Sequence, residues 1–72
     1  MQNKFFKWVE LVESIGLRAV RKIPGFHDEP LKGKRKDQRS IRLNRAWRAI
    51  YRVSDVGKVT LILVEEISKH EY

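Results

Sequence analysis

The second half of this 72-residue chain alternates, and the alternation limits the folds open to it. Between Arg39 and Leu43, Ile41 and Leu43 fall on one side and Arg42 on the other. Asn44 and Arg45 read as a turn. From Trp47 to Val53 the pattern resumes: Trp47, Ala49, Tyr51 and Val53 share one face, and Arg48, Ile50 and Arg52 share the other. A period of two is the signature of a strand with two unlike faces. Ser54 to Gly57 forms a second turn. Lys58 to Ile67 follows as a third strand, apolar enough to be expected at the centre of a sheet and covered on both faces. Strands linked by short turns pair antiparallel, so the expectation is a three-stranded antiparallel meander.

The first half carries a different period. Phe5, Trp8, Val12 and Ile15 recur at helical spacing, and Phe6, Val9 and Leu11 widen the stripe, while Lys4, Lys7, Glu10 and Glu13 occupy the polar side. This predicts a helix over 3–15 with Asn3 as its N-cap. Gly16 ends or bends it, and 17–23 gives a second short helix stopped by Pro24-Gly25. The aromatic stripe is first of all core, with a groove for a partner protein as the sharper alternative. Residues 24–33, rich in Pro, Gly and Asp, read as a loop that holds His27 and Glu29. The resulting class is α+β, with one or two N-terminal helices on one sheet face and Arg42, Arg48 and Arg52 displayed on the other.

Charge then points to a partner. Between Leu31 and Arg52 stand nine basic residues (Lys32, Lys34, Arg35, Lys36, Arg39, Arg42, Arg45, Arg48 and Arg52) and a single acid, Asp37. The chain as a whole is only +7, so the remainder is close to neutral. Such a stretch can be a solvated face. Its density on a strand-forming pattern instead favours a polyanion, with nucleic acid first, because the guanidinium fork matches phosphate oxygens. A chain this short is one domain at most, buries roughly 60% of its unfolded surface and is marginal unless well packed or assembled. It contains no cysteine, which excludes disulfides and Cys-based zinc sites. No apolar run reaches the ~18 residues of a membrane span and no leader-like segment follows the start, so a cytoplasmic protein without membrane contact is expected. His27 and His70 are far apart in sequence and no HExxH motif or glycine-rich phosphate loop is present, so neither a metal nor a cofactor is expected.

Glu29 and His70 form a candidate acid/base pair. RNA is cut without metal when one group takes the 2′-hydroxyl proton, another protonates the leaving 5′-oxygen, and a cation stabilises the phosphorane between them. A carboxylate, an imidazole and an arginine meet those needs. His70 and Tyr72 are two residues apart, so an extended backbone would point both the same way.

These residues form a recognisable set. IPGFHDEPLKGKRKDQRSIRLNRAWRAIYR, followed by VEEISKHEY, resembles the RelE/ParE superfamily of bacterial type II toxins, and in particular the ribosome-dependent mRNA interferases of the RelE, YoeB and HigB kind. The resemblance spans roughly residues 5–72 and rests on the EPLKG turn, the SIRL and WRAIY strand pair and the terminal KHEY. It implies a microbial-RNase-like fold whose basic face holds mRNA in the ribosomal A site. It implies Glu29 as general base, Arg48 as stabiliser of the phosphorane, His70 as general acid and Tyr72 as the ring that stacks on or orients the base. Lys32, Lys34, Arg35, Lys36, Arg39, Arg42 and Arg45 would then hold RNA phosphates. The implied partners are a cognate antitoxin, the ribosome and mRNA, in a system of the plasmid-stabilisation kind. Two departures stand out. Glu71 separates His70 from Tyr72, and the usual opening strand with its longer first helix is missing, which leaves one sheet edge uncovered; the expectation is a truncated relic, a late-start product or a self-associating form, a chain that dimerises or is weakly stable alone. The competing functions are a ParE-like gyrase inhibitor without nuclease activity, against which the KHEY end argues, and an inactive relic that binds antitoxin or RNA.

Overall fold

A computed structural model describes residues 2–67. His70 and Tyr72 lie outside the described residues. The chain is α+β: helix α1 (Gln2–Ile15), a single turn α2 (Leu17–Val20), and then four strands, β1 (Glu29–Pro30), β2 (Gln38–Arg42), β3 (Trp47–Val53) and β4 (Val59–Glu66). They form one antiparallel sheet in the order β1-β2-β3-β4.

The α1 helix forms where the apolar stripe predicts it. Asn3 lies inside the helix rather than capping it, since α1 begins at Gln2. Gly16 ends α1 with φ 87°, a left-handed conformation that costs a residue without Cβ nothing, while its N–H still donates to the Val12 carbonyl at 3.0 Å. The second helix is shorter than the sequence suggests: four residues, followed by turn. Between them α1 and α2 bury Trp8 and Val20 against Phe26, Ile41, Leu43, Ala49 and Tyr51. The rings of Trp8 and Tyr51 lie 5.0 Å apart at 50°, and Phe5 stacks on Trp8 at 6.2 Å.

The β2–β3 hairpin turns at Asn44, whose Oδ1 accepts hydrogen bonds from the backbone N–H groups of Ala46 and Trp47 at 2.8 and 2.9 Å. An asparagine side chain that mimics a backbone turn in this way explains the break in alternation there.

Two expectations need correction. Residues 24–33 are not simply loop. A 3-10 turn at Pro24–Phe26 leads into β1, which adds a fourth strand to the meander by pairing Glu29 with Ser40 and Pro30 with Arg39. Two residues are too few to show a period, so the strand is invisible in the sequence. A second 3-10 turn, Gly33–Arg35, follows. The other correction concerns β4. It is not central; it forms the edge of the sheet, and Leu61, Ile62, Leu63 and Val64 remain 36–46% exposed. An apolar run states what a strand could bury but not whether a neighbour is there to bury it.

Candidate functional site

On the face opposite the helices, β2, β3 and β4 align one residue each in a row across the sheet: Arg42, Arg48 and Glu65 are successive cross-strand partners. Ser40 and Ile50 form the next row and are both buried. β1 flanks the rows at Glu29, and the segment after it curls over them. The result is a cleft of about 370 Å³ lined by Glu29, Pro30, Leu31, Lys32, Arg35, Ser40 and Arg48. A smaller depression of about 30 Å³ adjoins it and shares Glu29, Ser40 and Arg48; its remaining lining is His27, Arg42 and Ile67.

Two arginines of this cleft meet one carboxylate. Arg48 donates to Glu65 Oε2 from both Nε (3.2 Å) and an Nη (2.8 Å), and Arg35 donates to Glu65 Oε1 at 2.8 Å. Arg35 also donates to Gln38 Oε1 at 3.3 Å, which ties the turn Gly33–Arg35 to the start of β2. The hydrogen bond from Arg35 lowers the Glu65 carboxyl most, burial pushes it up, and the hydrogen bond from Arg48 with the charges of both arginines leaves it below its ordinary value. Glu65 therefore fixes both guanidiniums with their remaining N–H groups available. Four cations (Lys32, Arg35, Arg42, Arg48) surround the cleft and its depression against two carboxylates, Glu29 and Glu65. Arg42 directly faces Arg48, an arrangement that disfavours itself unless an anion sits nearby.

The sequence-derived site residues thus divide. Glu29 and Arg48, nineteen positions apart, line the same cleft, and Lys32, Arg35 and Arg42 line it or its adjoining depression. Lys34, Lys36 and Arg45 are exposed but do not line it. Arg39 is a correction. It belongs to the other face of β2, paired with Tyr51, and its Nε donates to Asp28 Oδ1 at 2.6 Å, with the Asp28 side chain fully buried. The alternation of β2 puts Arg39 with Ile41, on the helix side, not with Arg42. Arg52 does lie on the cleft face but pairs with Asp37 at 3.0 Å in an exposed bridge of small energetic weight.

Asp28 anchors this end of the cleft from behind. Its second oxygen accepts a hydrogen bond from the Tyr51 hydroxyl. Burial, then the hydrogen bond to Asp28, push the Tyr51 phenol up to about 12, and the attraction of Asp28 outweighs burial to hold the Arg39 guanidinium above its ordinary value. Because Asp28 immediately precedes Glu29, this buried cluster fixes where β1 begins. His27, one residue earlier, takes a left-handed φ of 48°, the one non-glycine residue to do so among those described. Strained backbone of this kind persists only where the surroundings hold it.

Sequence reasoning missed three contributors: Glu65, hidden in a run read as buried strand; Ser40, a buried hydroxyl; and Asp28, one acid among several in the loop. For Glu65 the sequence carried no such signal, since the regular register of the β3–β4 hairpin would set Arg48 against Val64 and only the irregularity between Ile50 and Tyr51 brings Glu65 opposite it. Among the described residues no three His, Asp or Glu side chains gather as a metal site would require. No helix among them is long and apolar enough to cross a membrane. No protein-family model, curated protein or solved structure matches this chain.

Proposed function

We propose that this chain is an mRNA interferase of the RelE/ParE kind: a toxin that cleaves mRNA in the ribosomal A site, works in the cytoplasm where ribosomes are, and is held in check by a cognate antitoxin covering its basic face. The observation that carries this reading is the meeting of Glu29 and Arg48 in one cleft walled by Lys32, Arg35 and Arg42. In the reaction, Glu29 takes the proton of the ribose 2′-hydroxyl as that oxygen attacks the adjacent phosphorus. The bond from phosphorus to the 5′-oxygen breaks, leaving a 2′,3′-cyclic phosphate and a 5′-hydroxyl. Arg48, oriented by Glu65, meets the charge that builds on the phosphorane. His70 is assigned the proton delivered to the 5′-oxygen, and Tyr72 the stacking of the base. The β4 strand leads to Ile67 at the depression beside Arg48, three residues ahead of His70.

Primer extension on an mRNA held in programmed ribosomes, beside the same mRNA free in solution, tests the proposal. Cuts inside the A-site codon only on ribosomes are the expected result; an intact mRNA in the presence of folded protein refutes it. One observation favours a second reading, an RNA-binding chain that does not cut. The Nε and one Nη of Arg48 are already committed to Glu65. Salt-dependent RNA binding without cleavage would select that reading.

A further inference from the structure

The β4 edge is an exposed apolar surface that the proposed function does not use. Four consecutive large side chains, Leu61, Ile62, Leu63 and Val64, stand 46, 36, 41 and 41% exposed, on a strand whose outer backbone edge pairs with nothing among the described residues. Beside it, Phe5, Trp8, Val9 and Val12 of α1 and Val59 and Leu61 of β4 line a largely apolar groove of about 330 Å³. A long, apolar, unblocked edge is a template for another strand.

We infer that a second copy of this chain occupies it, with β4 pairing antiparallel to β4 across a two-fold axis to give one continuous eight-stranded sheet. The register is fixed by an irregularity. Ile50 faces Leu63 while Tyr51 faces Leu61, so β4 carries one extra residue, Ile62, a bulge. The pairing with β3 puts Val59, Leu61, Val64 and Glu66 on the helix side and Thr60, Leu63 and Glu65 on the cleft side. A two-fold axis between Ile62 and Leu63 then sets Val59 against Glu66, Thr60 against Glu65 and Leu61 against Val64, and each of these pairs lies on a common face. Without the bulge, strict alternation would put opposite faces together in this register. The bulge therefore makes six of the eight residues of β4 self-complementary, all but Ile62 and Leu63 at the axis.

Charge favours the same partner. Lys58 stands at one end of β4 and Glu65 and Glu66 at the other, so antiparallel pairing sets each lysine beside the other copy's acids. Lys32, Lys34, Arg35, Lys36, Arg39 and Arg42 lie on β2 or ahead of it, two strands from the β4 edge, while Arg48 and Arg52 of β3 are met by Glu65 and Asp37. The Leu61–Val64 pairs close the open side of each α1–β4 groove.

Sedimentation of the full chain across a wide concentration range tests the inference. A reversible species of twice the 8.6 kDa chain mass is expected, weakened on the order of tenfold or more in Leu63→Lys, which would bury a charge at the axis. Circular dichroism shows whether that variant is folded. A second measurement does not depend on it. The chain has no native cysteine, so a nitroxide on Thr60→Cys reports one distance. Five residue steps of ~3.4 Å place the two Cα atoms roughly 17 Å apart across the axis. A chain that stays monomeric, a dimer indifferent to Leu63→Lys while folded, or labels far from that separation would overturn it. So would β4 amides that gain protection only when a different protein is added.

Discussion

Replacing Asp28 with asparagine should unfold a large part of the molecule's margin while changing its shape least. The carboxylate is fully buried and accepts from Arg39 Nε and from the Tyr51 hydroxyl. A hydrogen bond to a charged group contributes about 1.5–3 kcal/mol. The amide keeps one acceptor oxygen but turns an NH2 group toward one of its former donors and leaves the Arg39 charge uncompensated. Arg39 retains 25% side-chain exposure, and water softens the loss. The expected cost is about 3 kcal/mol. A chain of this size commands roughly 4–11 kcal/mol in all, and each kcal/mol moves its midpoint by about 4–8 °C, so Tm should fall by roughly 12–24 °C. Tyr51→Phe, which removes one hydrogen bond to the Asp28 carboxylate, should cost about 1.5–3 kcal/mol. Urea unfolding followed by tryptophan fluorescence measures both, and the double variant gives their coupling. An Asp28→Asn protein within about 0.5 kcal/mol of the parent would refute the reasoning, because the cluster would then be ornamental. The same variant should lower cleavage by more than its unfolded fraction explains, since Asp28 sets the start of β1 and with it Glu29.

Other outcomes follow from the same geometry. The Tyr51 phenol is raised in the folded state, so the stability it contributes is complete below pH 10 and drains away as pH climbs toward about 12, by about 3 kcal/mol in all; alkaline unfolding in Tyr51→Phe should lack that component. Glu65 has the opposite sign. Its lowered value means stability present above the ordinary glutamate range and lost as pH falls through its folded value, a loss absent from Glu65→Gln on acid titration. Glu65→Gln should also bind single-stranded RNA more tightly at low salt, with slower cleavage if Glu65 positions Arg48 and faster cleavage if it merely competes for it; unchanged binding and rate together would remove Glu65 from the site. Arg42→Ala and Lys32→Ala should each flatten the dependence of RNA affinity on salt by about 0.7 in the logarithmic slope, uniformly across sequences. The Arg39→Ala slope should not change, because that guanidinium serves the buried Asp28.

Much of the site was legible because strands announce their faces. Once Arg48 and Arg42 are placed on the side opposite Trp47, Ala49 and Tyr51, a basic surface follows from a period of two. Applied one strand earlier, the same rule separates Arg39 from Arg42, yet counting bases in the stretch from Leu31 to Arg52 treats them alike. Charge density locates an anion-binding region, and only the pleat decides which charges share it.

The sequence by itself determined the elements. A 3.6-residue stripe makes α1, two alternating runs make β2 and β3, and Gly16, Asn44 and Gly57 stop them, because each signal is local and acts through a few neighbouring dihedrals. It also determined that Glu29 and Arg48 were candidates, by residue type and by resemblance. Tertiary structure alone decided which residues meet. It recruited Glu29 and Pro30 as a strand, buried Asp28 beneath Arg39 and Tyr51, joined Arg35 and Arg48 through Glu65, and left β4 at an edge although its composition suits a centre. Those outcomes depend on pairing between segments far apart in the chain, and the free energy of such pairing is carried by contacts that no single segment contains.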